Sequence, residues 1–397
     1  MNALILTCGT GGGHNTAAEA VAEELKVRGH QVFVMNPYDL GGKKTAQRVD
    51  NLYVKLVQKS PNLFGCLYQL GNIYRNLPIH SPVYYLNGRM RKPLEAFLDQ
   101  HHFDVIIMTH IFPGMMLAHL KKCREGIPRT IFVGTDYTCI PFTEELDCDA
   151  YMIPSKDLVQ EYVRYGIPEE KIYPVGIPVK KDSCQKITRK EAREILGWSQ
   201  NKQYIVLSGG SIGAGKLWRT EQILEEYIKD DQRKNLIVIC GNNEKLYDKF
   251  KKKVKAEQVK ILKSVSNLPV YMKACDLFLT KPGGLTSTEA AVVGTNLVHL
   301  SPIPGCESKN RAYFEACHMS RSIESTKKDL RQLVKEIDQT DIAEEVTRAQ
   351  KKKINRKALE DICDYIEKNA KKQKSFKKVL TSNQKADNIL QVLSNSC

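Results

Sequence analysis

Short apolar runs alternate with amphipathic segments along the first part of the chain. Residues 2–7 form an apolar run that predicts a strand, and residues 15–28 carry apolar side chains at the spacing of a helix. Further strands are predicted at residues 31–35, 105–108, 129–133 and 150–153. A strand, a turn, a helix and a second strand in this order form the unit of a parallel α/β sheet. We therefore expect a parallel sheet that is covered on both faces.

The same alternation starts again after a linker that contains prolines, near residues 174–186. A glycine-rich turn at residues 209–215 precedes a helix predicted at residues 217–228. Strands are predicted at residues 204–207, 236–240, 259–262, 277–280 and 296–300. The sequence thus predicts two similar α/β domains, residues 1–175 and 187–320. The cleft between them is the expected ligand site, because parallel sheets bind ligands at the carboxyl ends of their strands.

Two segments depart from this alternation. Residues 41–100 predict helices that carry aromatic and basic side chains together, which suits an interfacial helix at a membrane. The same mixture also fits a plain amphipathic core helix, or a surface that stacks single-stranded nucleic acid, although no RNA-binding motif accompanies it. Residues 321–397 form a basic helical C-terminal extension, and its lysine-rich part from residue 327 predicts a solvated helical hairpin that closes against the body.

Composition narrows the class of protein. The chain has 397 residues, a formal net charge of +15 and 42% hydrophobic residues, which excludes wholesale disorder. No apolar stretch reaches the roughly 20 residues of a membrane-spanning helix, and a basic n-region is missing, so we expect a cytosolic protein. Twelve cysteines without a CxxC pair predict reduced thiols and no zinc framework. The positive charge predicts attraction to nucleic acid or to membrane headgroups, or else a solvated basic face without a partner.

The first two glycine-rich turns each miss a nucleotide-binding motif by one residue. At residues 9–14, the third glycine of the dinucleotide fingerprint falls on His14, so a nicotinamide cofactor is not expected. Residues 210–216 fit G-x-x-x-x-G-K, but Leu217 stands where a Ser or Thr hydroxyl coordinates magnesium. We therefore expect no ATPase or kinase activity, while the exposed backbone N–H groups suit a diphosphate or its sugar.

A third glycine-rich turn follows the strand predicted at residues 277–280 and leads into a helix. Free N–H groups and the positive end of the helix dipole converge at this turn, which makes an anion site without a metal. Glu289 lies one turn into the helix, where a carboxylate can accept hydrogen bonds from two vicinal ribose hydroxyl groups. The alternative for Glu289 is a carboxylate that only complements the helix dipole.

Taken together, the turns resemble glycosyltransferase family 28, in particular its branch of diacylglycerol glucosyltransferases and monogalactosyldiacylglycerol synthases. The likeness runs from residue 1 to about residue 320. It is carried by Gly11-Gly12-Gly13-His14, Gly134-Thr135-Asp136 with Asp149-Ala150-Tyr151, Gly166-Ile167-Pro168 with Val175-Gly176-Ile177-Pro178, Lys281-Pro282-Gly283-Gly284-Leu285-Thr286 with Glu289, and Pro302-Ile303-Pro304-Gly305-Cys306-Glu307 with Asn310. The resemblance implies the glycosyltransferase B fold, an α/β architecture in which two Rossmann-like domains face each other across a cleft, here with a helical C-terminal extension.

The resemblance also implies roles for single residues. His14 lies at the reacting centre of similar enzymes and is the expected catalytic base, with Asp136 orienting it or sharing its role; a histidine that only caps a helix is the alternative. The residues expected on the acceptor side are Gly12, Gly13, Phe64 and Tyr68. The residues expected to bind the donor are Gly210, Ser211 and Gly213 near the phosphates, Gly283, Gly284, Leu285 and Thr286 at the diphosphate, Glu289 at the ribose, the Val265 backbone at the uracil, and Glu307 with Asn310 at the hexose. Cys306 stands where relatives usually carry glutamine, which leaves the identity of the hexose open.

The implied activity is the transfer of a hexose, with inversion, from a UDP-sugar to the hydroxyl group of a membrane lipid such as diacylglycerol. We expect no cofactor besides the UDP-sugar co-substrate. We also expect no metal, because Asp147-Cys148-Asp149 directly precedes a strand of the first domain and His101-His102 lacks a partner at ligand spacing. The expected partners are a UDP-hexose, a lipid acceptor and an anionic membrane surface, with no nucleic acid.

The expected location is peripheral, on the cytoplasmic face of the membrane. Two alternatives stay open. One is a nucleotide-sugar 2-epimerase of the same architecture, and the other is a non-catalytic UDP-sugar sensor at the membrane.

Overall fold

Two parallel sheets of six strands each form the framework of the computed structural model, which describes residues 1–370 except residues 10, 212, 214–216 and 325. The strands of the first sheet are β1 (Asn2–Leu6), β2 (Gln31–Met35), β3 (Val105–Met108), β4 (Arg129–Val133), β5 (Ala150–Met152) and β6 (Ile172–Tyr173). The strands of the second sheet are β7 (Gln203–Ser208), β8 (Lys234–Ile239), β9 (Val259–Leu262), β10 (Leu277–Thr280), β11 (Leu297–His299) and β12 (Arg321–Ser322). The strand orders are β2-β1-β3-β4-β5-β6 and β12-β11-β10-β7-β8-β9.

Helices connect the strands and cover the sheets. Those of the first half are α1 (Gly12–Val27), α2 (Lys43–Lys59), α3 (Pro61–Tyr74), α4 (Pro82–Gly88), α5 (Arg91–Gln100), α6 (Ile111–Lys121) and α7 (Val159–Arg164). Those that follow are α8 (Arg189–Leu196), α9 (Leu217–Ile228), α10 (Glu244–Lys253), α11 (Leu268–Ala274), α12 (Gly284–Val293), α13 (Cys306–Ala316), α14 (Lys327–Lys335), α15 (Thr340–Lys353) and α16 (residues 358–370). In the described parts of the chain, no helix is both long and apolar enough to cross a bilayer.

The central strands β1, β3 and β4 are buried on both faces, which explains their apolar runs, whereas edge strand β2 is largely exposed. In β1, Leu4 and Leu6 belong to one apolar cluster, whereas Ala3 and Ile5 belong to another on the opposite face. The predicted fold class, two Rossmann-like domains with a helical C-terminal extension, is confirmed. The limits of the three parts, residues 1–175, 187–320 and 321–397, stay a prediction.

Three details differ from the sequence-based expectation. Helix α1 begins at Gly12, three residues before the predicted start at residue 15, so the glycines form its first turn and His14 lies inside the helix. Strands β6 and β12 were not predicted, because each has only two residues and so shows no periodicity. Residues 371–397, with the basic pair Lys371-Lys372, lie outside the described residues.

The C-terminal extension packs against both halves of the molecule. Gln350 of α15 is fully buried and donates hydrogen bonds to the carbonyl oxygens of Thr295 (3.0 Å) and Met319 (2.8 Å) in the second half. Helix α16 then returns to the first sheet, where four buried side chains join the cluster around Ala3 and Ile5; they are Leu359, Ile362, Cys363 and Ile366. Helix α16 thus closes against the body as predicted, but it does so through a buried apolar stripe and not as a solvated element. Acidic residues between these positions, Glu360, Asp361 and Asp364, hide this stripe at helical spacing.

We expect Ile362→Ala to lower the free energy of unfolding by about 2–5 kcal/mol, because it leaves a cavity between α16 and the first sheet. Denaturant titration of the full chain, followed by circular dichroism, measures this change. The matched control is Lys368→Ala on the exposed face of the same helix, which we expect to alter stability by no more than about 0.5 kcal/mol. Equal effects of the two substitutions would show that α16 does not stabilise the first domain.

Candidate functional site

The two halves meet through the glycine-rich turns at the carboxyl ends of their strands. The backbone N–H of Gly12 donates a hydrogen bond of 3.0 Å to the hydroxyl oxygen of Ser211 in the other half. A Cβ atom on Gly284 would lie 1.9 Å from the carbonyl oxygen of Thr135, which no side chain can tolerate. Glycine at these positions therefore allows the backbones of the two halves to come into direct contact.

A cavity of about 410 Å³, here called the linker cavity, lies between the halves. Residues from the interdomain linker line it, namely Lys180, Asp182 and Ser183. The predicted site residues that line it are Gly12, Gly13, Gly210, Ser211, Val265, Leu285, Thr286 and Glu289. The turns after β7, β9 and β10 thus converge on one space, as expected for a parallel sheet.

Two ionisable side chains of the linker cavity, Glu289 and Lys180, lie near each other. Burial raises the pKa of Glu289 to about 7, and the nearby Lys180 only partly opposes this effect. The Lys180 ammonium group is bound to two carboxylates of α1, at 2.8 Å from Glu19 and 3.3 Å from Glu23. Sequence reasoning missed Lys180, since a lysine in a linker gives no signal of a binding site.

A second cavity of about 120 Å³, the His14 cavity, adjoins the first. Six residues line both cavities and make them continuous; they are Gly12, Gly13, Gly210, Ser211, Leu285 and Thr286. The His14 cavity adds the predicted residues His14, Phe64, Asp136, Gly283, Gly284 and Glu307. One wall is apolar or aromatic and consists of Tyr53, Val57, Phe64 and Ile303.

The hydrogen bonds of His14 determine which ring nitrogen carries its proton. Its Nδ1 lies 2.7 Å from the carbonyl oxygen of Thr109 and 2.9 Å from the hydroxyl oxygen of Thr135. A carbonyl oxygen only accepts, so Nδ1 carries the proton and Nε2 keeps a free lone pair. Burial lowers the pKa of His14, although the charge of Asp136 and the Thr109 carbonyl oppose this shift. His14 is therefore a neutral imidazole at neutral pH, ready to accept a proton.

His110 packs against His14 and was not singled out by sequence reasoning. The two ring centres are 4.7 Å apart and the planes are nearly perpendicular. Burial lowers the pKa of His110 well below its ordinary value, and the proximity of His14 lowers it further. Nδ1 of His110 accepts a hydrogen bond of 3.2 Å from the backbone N–H of Phe112 at the start of α6. This neutral ring supports His14 from behind without adding charge.

Asn310 connects the two halves with its side chain. It is fully buried, and its amide nitrogen donates to Asp136 at 2.8 Å and to the carbonyl oxygen of Pro282 at 3.1 Å. Its amide oxygen accepts a hydrogen bond of 2.6 Å from the backbone N–H of Tyr137. Asn310 lines neither cavity, and its role at the hexose stays a prediction.

Gly213 and Tyr68 also lie outside the two cavity linings. The carbonyl oxygen of Gly213 accepts a hydrogen bond of 3.0 Å from the side chain of Asn243. Tyr68 of α3 packs beside Phe64 against Gly305, 3.3 Å from the point where a Cβ of Gly305 would lie. Helix α3 of the first half thus contacts the loop that precedes Glu307 in the second half.

Glu307 forms an ion pair with Lys281, the residue that directly follows β10. Its second carboxylate oxygen accepts a hydrogen bond of 2.9 Å from the backbone N–H of Ile303. Burial lowers the pKa of Lys281, but the charge of Glu307, the hydrogen bond to it and the nearby Cys306 and Asp136 together raise the pKa above its ordinary value. Sequence reasoning included Lys281 in a motif but gave it no role, because its partner lies 26 residues away.

Within the described residues, no three His, Cys, Asp or Glu side chains come together as a metal site. Asp149 of the Asp147-Cys148-Asp149 segment accepts a hydrogen bond of 2.8 Å from the backbone N–H of Thr130 and pairs with Lys121 at 3.2 Å. The cysteines of the described residues are all free, and Cys306 lines the His14 cavity, where burial raises the pKa of its thiol.

Comparisons with known proteins agree with this architecture. The processive diacylglycerol beta-glucosyltransferase of Bacillus pumilus is 26% identical over 316 residues, which cover 79% of this chain and 80% of that protein. The crystal structure of MurG from Acinetobacter baumannii superposes with a TM-score of 0.60 at 15% identity, covering 92% of this chain and 99% of that one. UDP-GlcNAc 2-epimerase from Neisseria meningitidis gives a TM-score of 0.64 at 14% identity, covering 93% and 100%. These two structures show the glycosyltransferase B arrangement of the fold.

Two family models match consecutive parts of the chain. A model of monogalactosyldiacylglycerol synthase matches residues 14–179, and a model of the glycosyltransferase family 28 C-terminal domain matches residues 204–377. The two matches follow one another along most of the chain and include both walls of the cleft. The protein is therefore an enzyme that belongs to glycosyltransferase family 28, in its branch of diacylglycerol glucosyltransferases and monogalactosyldiacylglycerol synthases.

Proposed function

We propose that this protein transfers a hexose from a UDP-sugar, with inversion at C1, to the hydroxyl group of a membrane lipid such as diacylglycerol. The observation that carries the proposal is the continuity of the linker cavity with the His14 cavity. The linker cavity offers groups that can bind a nucleotide, and the His14 cavity offers a base beside an apolar wall. The residues that line both cavities lie where the sugar would be, between the nucleotide and the acceptor. The name of the Bacillus pumilus relative supports diacylglycerol as acceptor and glucose as one candidate sugar.

The donor end of the proposal rests on backbone groups and one carboxylate. Helix α12 begins at Gly284, so its free N–H groups and its positive dipole end face the space that both cavities share. Val265 of the turn after β9 lines the linker cavity at the place we assign to the uracil. Glu289 lines the same cavity and, when ionised, accepts hydrogen bonds from the two ribose hydroxyl groups.

The catalytic step needs charge stabilisation on one side of the sugar and a base on the other. Departure of the diphosphate leaves an oxocarbenium-like C1 and places negative charge on the departing oxygen, which the N–H groups of α12 stabilise. Nε2 of His14, in the opposite half, accepts the proton of the acceptor hydroxyl as that oxygen attacks C1. Attack from the side opposite to the leaving group inverts the configuration at C1.

The acceptor end points to a lipid at an anionic membrane surface. The apolar wall of the His14 cavity includes Tyr53 and Val57 of α2 and Phe64 of α3. The outer face of α3 exposes a row of large apolar side chains, Leu63, Leu67, Leu70 and Ile73, and the preceding helix α2 exposes Lys55 and Lys59. Apolar side chains that enter the acyl boundary, flanked by lysines at the headgroups, suit peripheral binding on the cytoplasmic face. This use of residues 41–100 does not involve nucleic acid.

The two alternative functions, a 2-epimerase and a UDP-sugar sensor, do not account for both the exposed apolar face of α3 and the neutral His14. A nucleotide-sugar 2-epimerase has the same fold but acts on the nucleotide sugar alone, so an exposed apolar face beside the site has no purpose in it. A sensor that only binds UDP-sugar has no need for a neutral histidine whose Nε2 is free. Both remain as outcomes of the following experiment.

Incubation with vesicles of diacylglycerol and anionic phospholipid, together with labelled UDP-glucose, UDP-galactose or UDP-N-acetylglucosamine, tests the proposal. We expect a labelled glycolipid, identified by mass spectrometry, with the new linkage of configuration opposite to the donor by NMR. Conversion of the free nucleotide sugar without a lipid product would identify an epimerase. Binding of the donor without turnover would identify a sensor.

Membrane docking is tested with the double substitution Leu67→Glu and Leu70→Glu. We expect it to reduce sedimentation with these vesicles, and glycolipid formation on them, at least tenfold, because charges replace apolar side chains at the acyl boundary. UDP affinity should stay unchanged. Ile195→Glu, at an exposed apolar position of α8, is the matched control and should bind vesicles normally. Normal vesicle binding by the α3 variant would place the membrane contact elsewhere.

His14→Ala should lower kcat by about 10²–10⁴-fold, the usual contribution of a general base, while the Kd for UDP changes less than about twofold. In the wild type, kcat should fall as the pH decreases through a value below 6.5, because burial lowers the pKa of His14 and protonation removes the lone pair of Nε2. His102→Ala, at an exposed histidine, is the control. Equal losses of UDP binding and of transfer would indicate that His14 has a structural role.

Glu289→Gln should weaken UDP-hexose binding about tenfold at pH 8, since a charged acceptor of hydrogen bonds is lost. In the wild type, affinity should increase as the pH rises through about 7, because the carboxyl with its raised pKa then becomes ionised and accepts from the ribose. The variant should show no such dependence in calorimetric titrations, and Glu170→Gln, at an exposed position, should behave like the wild type. A UDP-hexose serves as the probe because its diphosphate does not titrate in this range. An unchanged pH profile in Glu289→Gln would exclude the ribose role.

A further inference from the structure

We propose that Lys281 is the side-chain cation of the diphosphate site and that it exchanges partners during donor binding. Its ammonium group leaves Glu307 and pairs with the diphosphate, which frees the Glu307 carboxylate to accept hydrogen bonds from the hexose hydroxyl groups. This inference rests on the proposed function, because it requires a nucleoside diphosphate sugar as donor.

The position of the Lys281 ammonium group is the first support. Lys281 is the first residue after β10, at the carboxyl end of a central strand of the second sheet. A Cβ on Gly283 would lie 3.7 Å from its Nζ, and a Cβ on Gly210 would lie 4.0 Å away. Nζ therefore lies between the two glycine-rich turns of the second half, where backbone N–H groups assemble for the phosphates.

The balance of charge in the cavities is the second support. Among the described residues that line the two cavities, Lys180 and Lys281 are the only lysines or arginines. Lys180 is bound to Glu19 and Glu23 of the first half and lies beside Glu289, so it belongs to the ribose end. A helix N-terminus contributes only about half a charge, which is less than the two charges of a diphosphate diester. Lys281 supplies the missing full charge at the leaving group.

The Lys281–Glu307 ion pair is the third support, because each of its members can take a new partner when the donor binds. The Lys281 side chain is only 16% exposed and that of Glu307 only 10%, so both are largely shielded from bulk water. Glu307 remains anchored through its hydrogen bond from the Ile303 backbone when the lysine moves away. A buried carboxylate that loses a cation requires new donors, and hexose hydroxyl groups provide them.

The exchange fits the bond changes of the transfer step. The bond between C1 and the β-phosphate oxygen breaks, and its electron pair stays on that oxygen, where Lys281 stabilises the added charge. The acceptor oxygen forms the new bond to C1, and its proton passes to Nε2 of His14. Lys281 keeps its proton throughout and acts only as a cation, so the step balances without any further reactant.

Titration calorimetry of Lys281→Met with UDP and with UMP tests the contact. We expect the Kd for UDP to increase by about tenfold to a hundredfold, the usual effect of losing a charged hydrogen bond, while the Kd for UMP changes less than about twofold. Lys281→Arg, which keeps the charge, should bind UDP within a few-fold of the wild type. Lys309→Met, at an exposed lysine of α13, is the matched control. Equal effects on UDP and UMP, or none, would overturn the inference.

The variant Glu307→Gln distinguishes an exchange of partners from an ion pair with only a structural role. This test remains valid even if Lys281→Met does not fold. We expect this variant to bind UDP more tightly than the wild type, because Lys281 no longer has to leave a carboxylate. Its KM for the UDP-hexose should nevertheless increase, because the hexose loses its acceptor. Weaker binding of UDP by Glu307→Gln would indicate a structural pair and would overturn the inference. A wild type that binds no UDP at all would instead refute the proposed function.

Discussion

Direct contact between the glycine-rich turns of the two domains is the constraint on which the candidate active site depends. The N–H group of Gly12 reaches the Ser211 hydroxyl, and Gly284 leaves no room for a side chain against the Thr135 carbonyl oxygen. Larger residues would separate the domains by about the size of a side chain. The linker cavity and the His14 cavity would then be wider and more open to solvent. Because the turns touch, a ligand is enclosed by groups from both domains.

Charge in this enclosed space is scarce and balanced. Lys180 is bound to carboxylates of α1, and Lys281 is bound to Glu307, so each cation near the described cavity walls already has an acidic partner. The other lysines and arginines among the described residues lie outside the linings of the two cavities. His14 and His110 both stay neutral because burial lowers their pKa values. The pocket thus combines a weak electrostatic field with a few well-placed polar groups. This combination favours selective binding of one dianionic ligand over non-specific attraction of anions.

The sequence predicts the long, apolar elements well and the contacts between distant residues poorly. Strands β2, β3, β4, β9 and β10 have their predicted bounds, because each is a short, mostly apolar segment between polar or glycine-rich turns. Fourteen of the predicted site residues line the two cavities, since turns after parallel strands necessarily meet at one edge. The roles of Lys180 and of the Lys281–Glu307 pair depend on side chains that meet only in the folded protein. The burial of Asn310 is of the same kind, because nothing in its sequence neighbourhood indicates that it joins Asp136 to Pro282.

The return of α16 to the first domain means that the polypeptide crosses between the domains twice. The two crossings lie side by side, since the Asn355 side chain donates to the Val175 carbonyl oxygen at 2.8 Å and a Cβ on Gly176 would lie 2.9 Å from that of Ala358. A single covalent connection would permit twisting as well as bending. Two adjacent connections resist twisting and favour a hinge rotation of the domains about a single axis. We therefore expect opening for product release to follow the path of closure, so that the facing turns meet again in the same register.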